Sequence, residues 1–204
     1  MNKNNRKQHL YRVAFKLFLT NSYDAVSISD IEQASGMTRG AISYYGKDKL
    51  GLYYSVIKHY LVDKQNLDNK MKNVEYNSFR GFIEGYIQSV QDTMNGLRDV
   101  CGQITNGSQA YMSLILQICR HFQDLNEMYL TNRSNELLIW IENLNIAIKN
   151  KEIRDDINVI ATAKTFMNIF YGQSFLDALS MGLNTMELRL QFLNQYDLIK
   201  IKGE

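Results

Sequence analysis

Residues 27 to 52 read Ser-Ile-Ser-Asp-Ile-Glu-Gln-Ala-Ser-Gly-Met-Thr-Arg-Gly-Ala-Ile-Ser-Tyr-Tyr-Gly-Lys-Asp-Lys-Leu-Gly-Leu. This stretch predicts two short helices separated by a tight turn, followed by the start of a third. Ser27 with Asp30 three residues later is typical of a helix N-terminus. Gly36 suits the left-handed position that ends a helix, and Thr38 can cap the next one.

The second of these helices is poor in core residues. Only Ile42 is clearly available as an inward anchor. The other positions are small, polar or aromatic: Arg39, Gly40, Ala41, Ser43, Tyr44 and Tyr45. A helix of this kind is held by its neighbours so that its outer face can meet a partner, and a helix-turn-helix arrangement predicts the DNA major groove. An ordinary surface helical hairpin is the alternative.

Residues 6 to 60 resemble the N-terminal DNA-binding domain of the TetR/AcrR family of transcriptional regulators. The resemblance rests on four segments of this sequence: Ala14-Phe15-Lys16-Leu17-Phe18, Ser22-Tyr23, Ser27-Ile28-Ser29-Asp30-Ile31-Glu32, and Ser35-Gly36-Met37-Thr38 running on to Leu52. It implies an all-α fold. A three-helix helix-turn-helix domain is expected at residues 1–50, and a larger helical effector-binding and dimerisation domain at residues 51–204.

The candidate DNA contacts combine side-chain chemistry with this resemblance. Arg39 has the fork that matches O6 and N7 of guanine, and a phosphate contact is its alternative role. The resemblance implies phosphate contacts for Tyr45, Lys49 and the capping hydroxyl of Ser27. The full predicted set is Ser27, Thr38, Arg39, Gly40, Ala41, Ser43, Tyr44, Tyr45 and Lys49.

Two positions depart from the family pattern. Ser43 stands where the family has Tyr, and Gly46 stands where it has an inward Phe. Loss of such a Phe removes about 2–4 kcal/mol of packing unless Tyr44 or Tyr45 turns inward. These departures leave an alternative function open, a helical protein-interaction module whose DNA-binding head has degenerated.

Charge is distributed unevenly along the chain. Residues 1 to 54 hold eight Lys or Arg against four acids, a net charge of +4, so the remaining residues carry −2 of the total +2. A basic head suits a polyanionic partner. The sequence shows no membrane span or signal peptide, and a reducing cytoplasm is expected.

Nothing in the sequence supports an enzyme. The three histidines are scattered, and neither a glycine-rich phosphate loop nor a nucleophile elbow is present. We therefore expect no catalytic residue, metal or cofactor. Cys101 and Cys119 lie in apolar helical surroundings and are expected to be core thiols.

Helical periodicity divides the rest of the chain. We expect helices at residues 6–20, 49–70, 77–94 (ended by Gly96), 109–149 and 159–181, with a last one beginning at Asn184-Thr185. The long 109–149 region is expected to break between 122 and 126, and residues 95–108 are expected to be irregular. Asp48 is the expected N-cap of the helix that follows the helix-turn-helix.

The resemblance implies a homodimer through the last two long helices, with an effector pocket in the body. The protein is therefore expected to be a ligand-responsive DNA-binding regulator, a repressor that a small, largely apolar molecule releases from its operator. Side chains that could line the pocket, each of which could equally be core, are Tyr86, Tyr111, Met112, Phe122, Trp140, Met167, Phe170 and Tyr171. No cluster of buried Lys or Arg is expected there.

Overall fold

The computed structural model describes residues 3–72, 74–102 and 106–201. Within them the chain forms ten α-helices and no extended strand, which confirms the all-α fold. The helices are α1 Lys3–Thr20, α2 Ile28–Ser35, α3 Arg39–Gly46, α4 Lys49–Ile57, α5 Leu67–Met71, α6 Phe79–Cys101, α7 Gly107–His121, α8 Gln123–Lys149, α9 Val159–Ala178 and α10 Thr185–Ile199.

Packing divides the chain into two units. The first contains Met1–Gln65 and Leu97–Tyr129, and the second contains Asn66–Gly96 and Leu130–Glu204. These units describe which segments pack together. The functional boundary expected near residue 50 stays a prediction.

The first unit is built around the buried face of α1. Its buried side chains are Leu10, Tyr11, Ala14, Phe15, Phe18 and Leu19. Phe15 stacks on Tyr60 with ring centroids 4.0 Å apart, and Phe18 meets Tyr53 edge-on at 4.9 Å. Helix α1 also packs against α2, α4 and α7, so it contributes the central helix of this unit's core.

Several helix boundaries differ from the sequence expectation. The helix expected to run to residue 70 is regular only to Ile57, continues as a π-helical segment Lys58–Asp63, and is followed by the separate short helix α5. Gly96 does not end α6, which continues to Cys101. The break expected after residue 122 is confirmed, since Phe122 separates α7 from α8.

The second unit has an aromatic core. Trp140 stacks on Phe166 with centroids 4.9 Å apart and an interplanar angle of 8°. Phe82 and Phe192 meet the same indole edge-on. These rings come from four helices, α6, α8, α9 and α10, so one aromatic cluster joins them.

Candidate nucleic-acid interface

The two short helices of the first unit have the caps that the sequence predicts. The Ser27 hydroxyl accepts a hydrogen bond from the Asp30 amide, and the Asp30 carboxylate accepts one from the Ser27 amide at 2.7 Å. Gly36 ends α2 with φ of 66°, in the left-handed region. The Thr38 hydroxyl accepts from the Ala41 amide at 3.4 Å and begins α3.

Helix α3 buries little of its surface. Ile42 and Gly46 are its buried residues, which confirms Ile42 as the inward anchor. Thr38, Arg39, Gly40, Ser43 and Tyr44 are exposed, while Ala41 and Tyr45 are partly exposed. Tyr44 keeps 65% of its surface accessible, so it does not turn inward in place of a missing Phe. The predicted contact residues of α3 therefore share one outward face.

Gly46 is a site of close packing, and the interpretation of it as a missing anchor is wrong. A Cβ atom at residue 46 would lie 2.5 Å from Leu52 Cβ and 2.7 Å from Leu52 Cα. A Cβ at Gly51 would overlap the carbonyl oxygen of Gly46. The end of α3 thus approaches the start of α4 so closely that neither position has room for a side chain.

The sequence contained this signal in the spacing of the two glycines, five residues apart across the predicted junction of α3 and α4. Sequence reasoning considered Gly46 alone and missed Gly51. The turn between them also uses Lys47 with φ of 63°. Leu52, a buried residue of α4, occupies the space next to Gly46 that an inward Phe would need.

Three predicted phosphate contacts already have partners within the chain. The Ser27 hydroxyl also donates to Asp30, and this hydrogen bond lowers the pKa of the carboxyl group, so an anion is held at the start of α2. The Lys49 ammonium donates to the Tyr23 carbonyl at 3.1 Å and lies 4.1 Å from the centroid of the Tyr23 ring.

The third predicted phosphate contact is Tyr45, whose hydroxyl donates a hydrogen bond to the Lys3 carbonyl at 3.3 Å. Asp48 caps α4 by accepting from the Gly51 amide at 2.7 Å, as predicted. Its carboxylate occupies the start of α4, where the amide groups would otherwise attract a phosphate.

A family model described as "Bacterial regulatory proteins, tetR family" matches residues 10–56, which contain α1 to α3 and most of α4. The HTH-type transcriptional regulator AcrR of Shigella flexneri is 38% identical over 50 residues, which cover 24% of this chain and 23% of AcrR. Residues 10–56 are therefore similar to regulatory proteins of the tetR family.

Similarity over the full length comes from solved structures and concerns the fold. A TetR-family regulator from Cytophaga hutchinsonii matches with a TM-score of 0.73 at 16% identity, covering 100% of this chain and 99% of its own. One from Agrobacterium tumefaciens matches with a TM-score of 0.72 at 15% identity, covering 98% and 100%. These matches show that the chain has the same fold as these two structures over its full length.

The predicted effector-pocket residues are divided between the two units. Tyr111, Met112 and Phe122 belong to the first unit, where Phe122 packs 4.6 Å from Tyr53. Five lie in the second unit: Tyr86, Trp140, Met167, Phe170 and Tyr171. None of the eight lines the cleft of about 540 Å³ whose walls include Tyr76, Phe79 and Glu142.

One sequence expectation about the rest of the chain is wrong. Cys119 is exposed and is not a core thiol, while the side chain of Cys101 lies outside the described residues. In the second unit, Lys70 is partly buried, and its desolvation lowers its pKa to about 8. Among the described helices, none is long and apolar enough to cross a membrane.

Helices α9 and α10 of the second unit carry exposed apolar side chains. The large exposed side chains of the two helices are Ile160, Phe175, Leu176, Met186, Leu190 and Leu198, and Leu179 and Met181 are exposed just after α9. Within a single chain, this face remains in contact with water.

Proposed function

We propose that this protein is a homodimeric repressor of the TetR/AcrR family, which binds operator DNA through α3 and releases it when a small molecule binds the body. The observation that carries the proposal is the exposed face of α3, a helix capped at both ends and anchored by Ile42 alone. Thr38, Arg39, Gly40 and Ser43 of this face are exposed and available to a partner. A DNA target implies that the protein acts in the cytoplasm.

Each residue of the α3 face has a distinct role in this proposal. Arg39 reads a guanine edge through its bidentate fork, and Gly40 with Ala41 allows the backbone of α3 to approach the groove. Thr38, Ser43 and Tyr44 contact bases or the sugar-phosphate backbone beside it. Ser27, Tyr45 and Lys49 contribute from the edges of the face, where their intramolecular partners hold them in place.

The exposed apolar face of α9 and α10 supports the dimer. Exposed apolar patches of this kind on a monomer mark protein interaction sites. A two-fold interface places the same patch on both partners, and a two-fold dimer matches the two half-sites of an operator. The occupant of this face is a second copy of the chain.

A buried polar cluster in the second unit supports the response to a small molecule. Glu136 is buried, and its carboxylate accepts hydrogen bonds from the hydroxyls of Tyr86 and Tyr171, both at 2.7 Å. The Nε1 of Trp140 and the Oγ of Ser174 are buried without a hydrogen-bond partner among the described residues. Because unpaired buried polar atoms are costly, an effector with hydrogen-bonding groups as well as apolar surface suits this interior better than a purely apolar one.

The packing of Gly46 argues against the alternative of a degenerate DNA-binding head. Decay of an inward Phe to Gly would leave unfilled space, whereas Leu52 lies against the position where a Cβ would stand. Both caps of the helix-turn-helix are also intact. The packing between α3 and α4 therefore leaves room only for a glycine at residue 46.

The test is binding to DNA from upstream of the protein's own gene, followed by fluorescence anisotropy. We expect Arg39→Ala to weaken binding roughly 10- to 100-fold, since a bidentate base contact contributes about 1–3 kcal/mol. Lys149→Ala, an exposed basic residue of the second unit, is the matched control and should leave affinity unchanged. Equal affinities for the unchanged protein and Arg39→Ala would refute the assigned role.

A further inference from the structure

A groove of about 460 Å³ lies in the first unit between the start of α1 and the face of α3. Its lining residues are Lys3, Arg6, Met37, Ala41, Tyr44 and Tyr45. The groove opens beside two side chains of the α3 face. No residue of α1 belongs to the set of DNA contacts proposed above.

The two helices are joined at this groove by specific contacts. The Tyr45 hydroxyl donates to the Lys3 carbonyl, and the Lys3 ammonium lies 5.0 Å from the centroid of the Tyr44 ring. A hydrogen bond with Tyr44 raises the pKa of Lys3, so this side chain stays charged through the physiological range. These contacts fix the start of α1 against α3.

The charges in the groove have one sign. Lys3 and Arg6 are exposed, and neither forms an ion pair within the described residues. A Lys and an Arg beside tyrosine hydroxyls supply both charge and hydrogen-bond donors for an anion. Because no carboxylate lines the groove, this positive charge is available to a partner.

We infer that this groove is a second DNA site, in which Lys3 and Arg6 bind backbone phosphates next to the half-site that α3 reads. This inference rests on the proposed function, because a groove continuous with the α3 face meets the same duplex. Phosphate contacts fix the register of a protein on DNA, whereas base contacts supply sequence preference. The α1 residues therefore orient α3, and Tyr45 is a positioning residue that holds Lys3.

The site is tested through the salt dependence of binding. Each phosphate contact adds about 0.9 to the slope of log K against log salt concentration. We expect the double variant Lys3→Ala/Arg6→Ala to lower this slope by about 2, both for the upstream duplex and for a mixed-sequence duplex. The control is Arg80→Ala/Lys149→Ala, which removes one exposed Arg and one exposed Lys from the second unit and should leave the slope unchanged.

Conservative variants separate charge from structure. Lys3→Arg should retain the slope, and circular dichroism should show the same helix content for all variants, since both side chains are exposed. A slope that is unchanged in the double variant, while the unchanged protein binds DNA, would overturn this site alone. If the unchanged protein bound neither duplex, the proposed function would fail and this site with it.

Discussion

The α3 face and the α9–α10 face are both exposed in the single chain, yet they are built from opposite kinds of side chain. Around α3 the exposed residues are small, polar, cationic or aromatic, as in Thr38, Arg39 and Tyr44. On α9 and α10 they are large and apolar, as in Leu176 of α9 and Leu190 of α10. Under the proposed function, the side-chain chemistry of the two faces distinguishes their partners, DNA for α3 and a second copy of the chain for α9 and α10.

The two faces are also supported differently. Helix α3 has eight residues and depends on its caps, on Ile42 and on the close approach of Gly46 to Leu52. Helix α9 has twenty residues and rests on an aromatic core that includes Phe166. Small local changes should therefore disturb α3, whereas changes on α9 should affect association without unfolding the chain.

The largest expected effect concerns the support of α3. Gly46→Phe should lower the free energy of unfolding by about 3 kcal/mol, because overpacking against backbone atoms forces α3 and α4 apart. Urea unfolding followed by circular dichroism measures this change. Gly40→Ala is the matched variant on the same helix. A Cβ there meets nothing within 4 Å, and Ala should stabilise α3 by about 0.5–1 kcal/mol. Stabilisation by Gly46→Phe would restore the degenerate-head interpretation.

The next effect concerns the apolar face. Leu176→Glu should weaken dimerisation by roughly 100-fold or about 3 kcal/mol, since a two-fold axis would bring like charges into an apolar contact. Sedimentation velocity over a concentration series measures this change. Leu138→Glu is the control in the same unit, and both leucines are 62% exposed. Equal loss of dimer in the two variants would mean that the α9–α10 face is not the specific interface.

A smaller effect concerns Lys70, a partly buried residue of the second unit. Because its folded pKa of about 8 is below the ordinary value of 10.5, the unfolded chain binds more protons between these values. The cost of burying the cation is therefore present below pH 8 and falls as the pH rises above it. Lys70→Met should raise stability at pH 7 by about 1–2 kcal/mol. The advantage over the unchanged protein should shrink between pH 8 and 9.5. A pH-independent difference would contradict the lowered pKa.

The smallest effect concerns the helix that precedes α3. Ser27→Ala removes the hydroxyl that caps α2 and should cost about 1 kcal/mol of stability. Ser29→Ala, an exposed serine inside the same helix, should cost close to nothing. Thermal unfolding of both variants makes the comparison. Equal stability of the two would show that the cap does not support the head.

The sequence predicted those features that depend on neighbouring residues. The N-caps at Ser27, Thr38 and Asp48 and the helix break at Phe122 depend on residues close in sequence, so the local sequence pattern was sufficient to predict them. The outward face of α3 followed from Ile42 being its single large apolar residue. The contact set itself stays a prediction, because no DNA is present.

Long-range packing accounts for the failures. The close approach of α3 to α4 at Gly46 depends on where Leu52 lies. The exposure of Cys119 depends on which face of α7 packs inward. None of these distances can be obtained from residue spacing along one helix.

Amide hydrogen exchange with and without the upstream duplex tests the central claim most directly, because it locates contact with DNA without altering the protein. Slower exchange is expected in peptides that contain α3 and the start of α1 when DNA is present. Peptides from α9 and α10 should instead become protected as protein concentration rises, with or without DNA. Protection of α9 and α10 by DNA, with α3 unaffected, would contradict the assignment of the two faces.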